Sequence, residues 1–89
     1  MRICILDGNK LTNRELLHNA LAESLNFPNW YGRNLDALYD CLTDFHEEAE
    51  IRILHEASLK ENLGNYALLL LKVLQEAARA NPRIRLTAE

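Results

Sequence analysis

Three strand-like runs, held apart by connections too long for hairpins, constrain this chain more than any other feature. Arg2-Ile3-Cys4-Ile5-Leu6-Asp7 has four consecutive apolar residues between charges, the pattern of a short strand covered on both faces. Ile51-Arg52-Ile53-Leu54 and Arg83-Ile84-Arg85-Leu86-Thr87 alternate instead, as strands with one exposed side guarded by arginine. The stretches between them carry helical periodicity, so neighbouring strands are joined by crossovers and the sheet is parallel. The expected fold is α/β, a small three-stranded parallel sheet with the first strand central and the other two as edges, covered by three to four helices. No repeat, low-complexity segment or long linker divides the chain, which predicts a single domain over residues 1–89.

The first helix is predicted to start after Thr12 or Asn13, with Thr12 and Glu15 at capping-box spacing. Leu16, Leu17, Ala20, Leu21, Ser24 and Leu25 form its buried stripe, leaving Arg14, Glu15, His18, Asn19 and Glu23 in water. Asn26-Phe27-Pro28-Asn29 breaks it. His46 to Glu50 reads as a solvated connection, and Ala57 to Leu63 as a weakly patterned short helix. A long helix runs from Tyr66 to about Ala80, capped by Asn65 and ended by Asn81-Pro82. It is apolar around most of its circumference, so it is either the most buried helix or one that exposes apolar surface.

A chain with 48% hydrophobic residues can fold without staples despite its length. Cys4 and Cys41 fall in apolar positions and read as small core residues, which suits a reducing compartment. No leader-like opening and no apolar run of membrane-spanning length are present, so a cytoplasmic location is expected, with no membrane partner. The net charge of −3 is unevenly spread: residues 34–61 carry eight acids against Arg52 and Lys60. That acidic middle repels phosphate backbones and makes nucleic acid an unlikely direct ligand. His18, His46 and His55 lack ligand spacing to one another or to the cysteines, and Gly8, Gly32 and Gly64 are isolated turn residues. Neither a metal, a phosphate-binding loop nor a cofactor is therefore expected.

The acidity gathers beside Trp30-Tyr31-Gly32-Arg33-Asn34, a turn that runs into the helical stretch Leu35 to Phe45. Asn34 stands at the N-cap, and Leu35, Leu38 and Leu42 with Cys41 make the inner stripe. Asp36, Asp40 and Asp44 then recur at i, i+4, i+8 on the outer face, where like charges disfavour the helix by about 0.2–0.5 kcal/mol per pair. The helix dipole favours Asp36 only, since Asp40 and Asp44 lie toward the negative end. Two readings fit, a solvated face or a recognition surface for something cationic framed by Trp30, Tyr31, Tyr39 and Phe45. As paired catalytic carboxylates Asp36 and Asp40 would need a cleft, and Cys41 on the inner face is a poor nucleophile; no catalytic residue is assigned.

The run Pro28-x-Trp30-Tyr31-Gly32-x-Asn34-Leu35-Asp36-Ala37-Leu38-Tyr39-Asp40-Cys41-Leu42-Thr43 resembles the signature of the barstar family, the intracellular inhibitors of barnase-like secreted ribonucleases. The similarity extends to the opening strand, the first helix and Gln75-Glu76-Ala77. The resemblance implies a non-enzymatic inhibitor that plugs the basic active site of a ribonuclease or related toxin, 1:1, with a carboxylate in place of the substrate phosphate. Asp40 matches that carboxylate and Asp36 a second acid. Trp30 and Tyr31 match aromatic contacts, while Asn34, Tyr39, Thr43, Phe45, Glu47 and Glu76 stand at further partner-facing positions. Tyr39 and Phe45 replace tryptophans of the best-known member, Arg33 replaces an acid and Asp44 a glycine, which bears on the partner's identity. The alternative is an interaction module that keeps the fold and binds a different basic partner. A homodimer through the Leu68–Leu71 run is not indicated.

Overall fold

The computed structural model describes residues 1–89. In chain order it contains β1 (Arg2–Asp7), α1 (Arg14–Leu25), α2 (Leu35–Thr43), β2 (Ala49–Leu54), α3 (Glu56–Leu63), α4 (Asn65–Ala80) and β3 (Ile84–Ala88). All strand pairs are parallel, as the long connections require.

The strand order is β1-β2-β3, so the central strand is β2 and not β1. The unbroken apolar run of β1 predicts cover on both faces. Instead only Cys4 and Leu6 point into the core, while Ile3 and Ile5 remain 45% and 48% exposed. The register explains the reversal. Ile3 pairs with Glu50 and Glu50 with Arg85, while Ile5 pairs with Arg52 and Arg52 with Thr87, which makes two rows of one isoleucine and two polar residues across an open face. The opposite face carries Cys4, Leu6, Ile51, Ile53 and Ile84, all buried under the helices. β2 therefore has its polar residues on the open face of a central strand rather than on an edge. Glu50, expected in a solvated connection, is buried there, with its carboxylate accepting from Arg52 Nε at 2.7 Å and from the Thr87 hydroxyl at 3.2 Å. The hydrogen bond from Arg52 holds its carboxyl below the usual range.

On the covered face α1 packs on β1 and α4 on β3, while α2 and α3 pack on α4. The stripe Ala67, Leu70, Leu74 and Ala77 fixes α4 in the core, leaving Leu68 and Leu69 half-exposed, the second of the two outcomes its all-round apolarity allowed. Asn13, rather than Thr12, caps α1, accepting from the Leu16 N–H at 2.9 Å. In α1 the buried set is Leu17, His18, Leu21 and Leu25, and Leu16 faces water. Gly8 lets α3 dock on the end of β1, since a Cβ there would stand 2.1 Å from the His55 carbonyl oxygen. Cys4 and Cys41 are free thiols, and burial pushes the Cys4 thiol up to about 11. No helix is long and apolar enough to cross a membrane.

Candidate functional site

The turn before α2 is shaped by residues that stop one helix and start another. Asn34 is extended, and its side-chain oxygen accepts from the Ala37 N–H at 2.8 Å while its amide donates to the Gly32 carbonyl at 3.2 Å. Gly32 leaves room for that closure, since a Cβ would meet the Asn34 amide and Ala37 at about 3.2–3.3 Å. Arg33 adopts a left-handed conformation, φ 55°, and its guanidinium donates to Asn19 of α1. Its charge is thus directed to α1, away from the acidic face of α2.

Tyr31, expected to face a partner, is 7% exposed. Its ring lies 4.9 Å from that of Phe27, and its hydroxyl is 2.7 Å from Nδ1 of His18. The other ring nitrogen of His18 is 2.8 Å from the Tyr66 hydroxyl, over whose ring Arg14 stacks at 4.0 Å. The helix pattern puts His18 on the solvent side, yet it is 2% exposed. Two tyrosine hydroxyls replace the water it gives up, so the burial carries no unmet polar group. Burial holds its imidazole below the ordinary pKa, and the nearby charges of Arg33 and Arg14 act in the same direction. A neutral imidazole donates to one hydroxyl and accepts from the other, locking Tyr31 between α1 and α4.

On α2, Leu38 and Leu42 are buried, whereas Asp36, Asp40 and Asp44 are exposed and form no ion pair within the chain. The helix is flanked by two hollows. The larger, about 560 Å³, is walled by Phe27, Trp30, Tyr31 and Phe45, with Asp40, Asp44 and Glu47 among its polar lining. The smaller, about 430 Å³, lies between α2 and α4, lined by Leu35, Tyr39 and Val73 with Asp36, Asp40 and Glu76. Asp40 belongs to both. Cys41 also lines the larger hollow; burial and then the charges of Asp40 and Asp44 raise its thiol pKa.

Seven of the ten residues expected at the site thus gather around an eighth, Asp40: Trp30, Tyr31, Phe45 and Glu47 on one side, Asp36, Tyr39 and Glu76 on the other. Asn34 and Thr43 line neither hollow. Asn34 is the helix cap, and the Thr43 hydroxyl donates to the Tyr39 carbonyl one turn back at 2.9 Å. Glu47 is engaged by Arg2 at 3.1 Å.

Sequence reasoning missed three contributors. His18 and Tyr66 support the turn from behind, and no spacing rule links positions so far apart in the chain. Asn81, read as a helix terminator, is buried, and its amide donates to the carbonyls of Leu42 and Phe45 at 2.8 and 3.0 Å. It hooks the end of α2 to the end of α4. No group of three His, Cys, Asp or Glu side chains converges as a metal site would require.

An acidic helix between two hollows, on a three-stranded parallel sheet under four helices, defines a small α/β protein. Residues 1–88 match the barstar family, described as "Barstar (barnase inhibitor)". The chain is also 45% identical over 78 residues to the Bacillus subtilis protein named "Putative ribonuclease inhibitor YrdF", covering 86% of each. The chain belongs to the barstar family, whose description is that of an inhibitor and not of an enzyme.

Proposed function

We propose that this protein inhibits a basic ribonuclease or related toxin of the barnase type, 1:1, by inserting the Trp30–Phe45 turn and helix into the active site. The observation that carries the reading is the placement of Asp40, exposed, free of any partner in the chain, and set on the wall common to both hollows. A nuclease active site presents cationic groups to a phosphate, and a carboxylate accepts the same bidentate hydrogen bonds from arginine. Asp36 and Glu76, on different helices, converge on the smaller hollow and offer a second cationic group two acceptors. Family membership and the relative's name support the same reading. Two free thiols suit action in the cytoplasm, where the RNA to be protected lies.

Once docked, Asp40 and its partners are withdrawn from water, so truncating it leaves cations buried and unpaired. A loss of about 3–5 kcal/mol is expected for Asp40→Ala, hundreds- to thousands-fold in affinity. The test is a titration against a barnase-like ribonuclease, following RNA hydrolysis, with Asp40→Ala alongside. Stoichiometric inhibition by wild type, lost in the variant, supports the occluding carboxylate. A folded wild type that leaves hydrolysis untouched would assign the fold to a different basic partner.

A further inference from the structure

We infer that the chain forms a two-fold homodimer through the free edge of β1, with Ile3 of each copy paired to the partner's Ile5 in an antiparallel ladder. The inference does not depend on the inhibitor reading, since it uses the other flank of the molecule.

The backbone sets what can dock there. The N–H groups of Arg2 and Gly8 donate to the carbonyls of Glu48 and Leu54 at 3.0 and 2.8 Å, and a strand alternates its bonding direction at every residue. The even-numbered residues of β1 therefore bond to β2, and the N–H and C=O groups of Ile3 and Ile5 point away from it. β1 ends the sheet, so these groups have no partner in the chain. The edge is also unguarded, because residues 2–7 hold no lysine or proline and no bulge interrupts their register. The other edge, β3, has five residues, follows Pro82, and carries Arg85 and Thr87 on the open face.

Apolar surface lies on both sides of the free edge. Above it are Ile3 and Ile5, half-exposed in a kind of sheet that is ordinarily covered on both faces. Below it is one flank of α1. His18 turns the other flank toward Tyr66 of α4, whereas Cys4 of β1 has its Sγ 4.0 Å from the Ala20 carbonyl and lies beside the Ser24 side chain. Leu16, one turn before Ala20, continues that flank and is 40% exposed. Leu16, Ala20 and Ser24 are the half of the expected apolar stripe that a single chain leaves uncovered.

A second copy fits this edge on every layer. A two-fold axis perpendicular to the sheet keeps both open faces on one side and both α1 helices on the other. Ile3 then faces the partner's Ile5 twice, each pair exchanging both backbone hydrogen bonds, with Cys4 on the axis. Sliding one way would set Ile3 against Asp7, and sliding the other would set Ile5 against Met1, outside the strand. Charge also favours this face: residues 1–33 hold four basic and three acidic side chains, whereas residues 34–61 hold two and eight. Because α2 packs on α4 and α4 on β3, the acidic faces lie on the outer flanks of the joined sheet and stay open.

The test is sedimentation velocity of the full chain from about 5 to about 500 µM, with reductant present because both cysteines are free. Wild type is compared with Ile5→Glu, Ile3→Lys and their equimolar mixture. Within its own chain position 5 neighbours Arg52 and position 3 neighbours Glu50, so each introduced charge has an opposite one beside it, and unchanged melting curves check the fold. Wild type should pass from monomer to dimer over the range. Each variant alone should dimerise about tenfold more weakly or worse, because it sets a charge against isoleucine. The mixture should dimerise about fivefold more tightly than either variant alone, because the introduced carboxylate then faces the introduced ammonium across the axis. Amide exchange at Ile3 and Ile5 should slow as concentration rises, while that of Leu68 and Leu69 on α4 stays constant. A monomer at every concentration would leave the edge to a different chain and overturn the inference. Variants that dimerise like wild type, a mixture no tighter than its parts, or slowed exchange on α4 instead of β1 would overturn it as well.

Discussion

Leu38 and Asp40 lie two residues apart in α2 and face opposite environments. Leu38 is fully buried and Asp40 stands in water on the outer face. Leu38→Ala should cost about 2–5 kcal/mol of stability, because it removes buried methyl groups and leaves a cavity. Asp40→Ala should change stability by less than about 0.5 kcal/mol, since it removes a like charge one turn from both Asp36 and Asp44. Urea denaturation of the two variants checks the pair; a marked loss in Asp40→Ala would make that acid structural. This contrast was legible in the sequence, because periodicity separates inner from outer positions within one helix. The burial of His18 was not legible, since its polar partners come from Tyr31 and Tyr66, thirteen and forty-eight residues away.

At the scale of elements, α2 is positioned by its neighbours more than by its own contacts with the sheet. α2 packs on α4, and Asn81 ties the two helix ends together. Asn81→Ala would leave the buried carbonyl of Leu42 and that of Phe45 without this donor, at a cost of about 1–3 kcal/mol. Phe45 walls the larger hollow, so the same variant should speed amide exchange at Asp44 and Phe45 under native conditions. Exchange unchanged there, with stability lost, would confine Asn81 to a global role. Strand existence and the parallel arrangement followed from run length and spacing. Strand order did not, because four apolar residues in a row look alike whether both faces are covered or two isoleucines lie on an open face. The helical signal of Ala57–Leu63 was weak for a related reason: α3 buries only Leu59 and owes its docking to the close approach at Gly8.

Across the whole molecule, His18 couples stability to pH. Its native pKa is lowered by burial and by Arg33 and Arg14, while in the unfolded chain it titrates near 6.5. Above that value both states are neutral and the group contributes no pH dependence. As pH falls through about 6.5 the unfolded chain takes up the proton first, so stability declines until the native value is reached. Urea midpoints for wild type should therefore fall between pH 8 and 5.5, and His18→Gln should show a flatter profile over that window. An equal slope in the variant would assign the dependence to other groups. Tyr31 and Tyr66 face the same imidazole, so loosening it also loosens the turn that carries Trp30.

The only tryptophan of the chain, Trp30, is 81% exposed at the mouth of the larger hollow. At that exposure its emission should already be that of an indole in water, so global unfolding should move its wavelength little. A partner seated on the hollow would exclude that water and shift the emission to the blue. The same chromophore should thus be nearly silent to folding, and a spectral change on mixing with a partner would report the encounter itself.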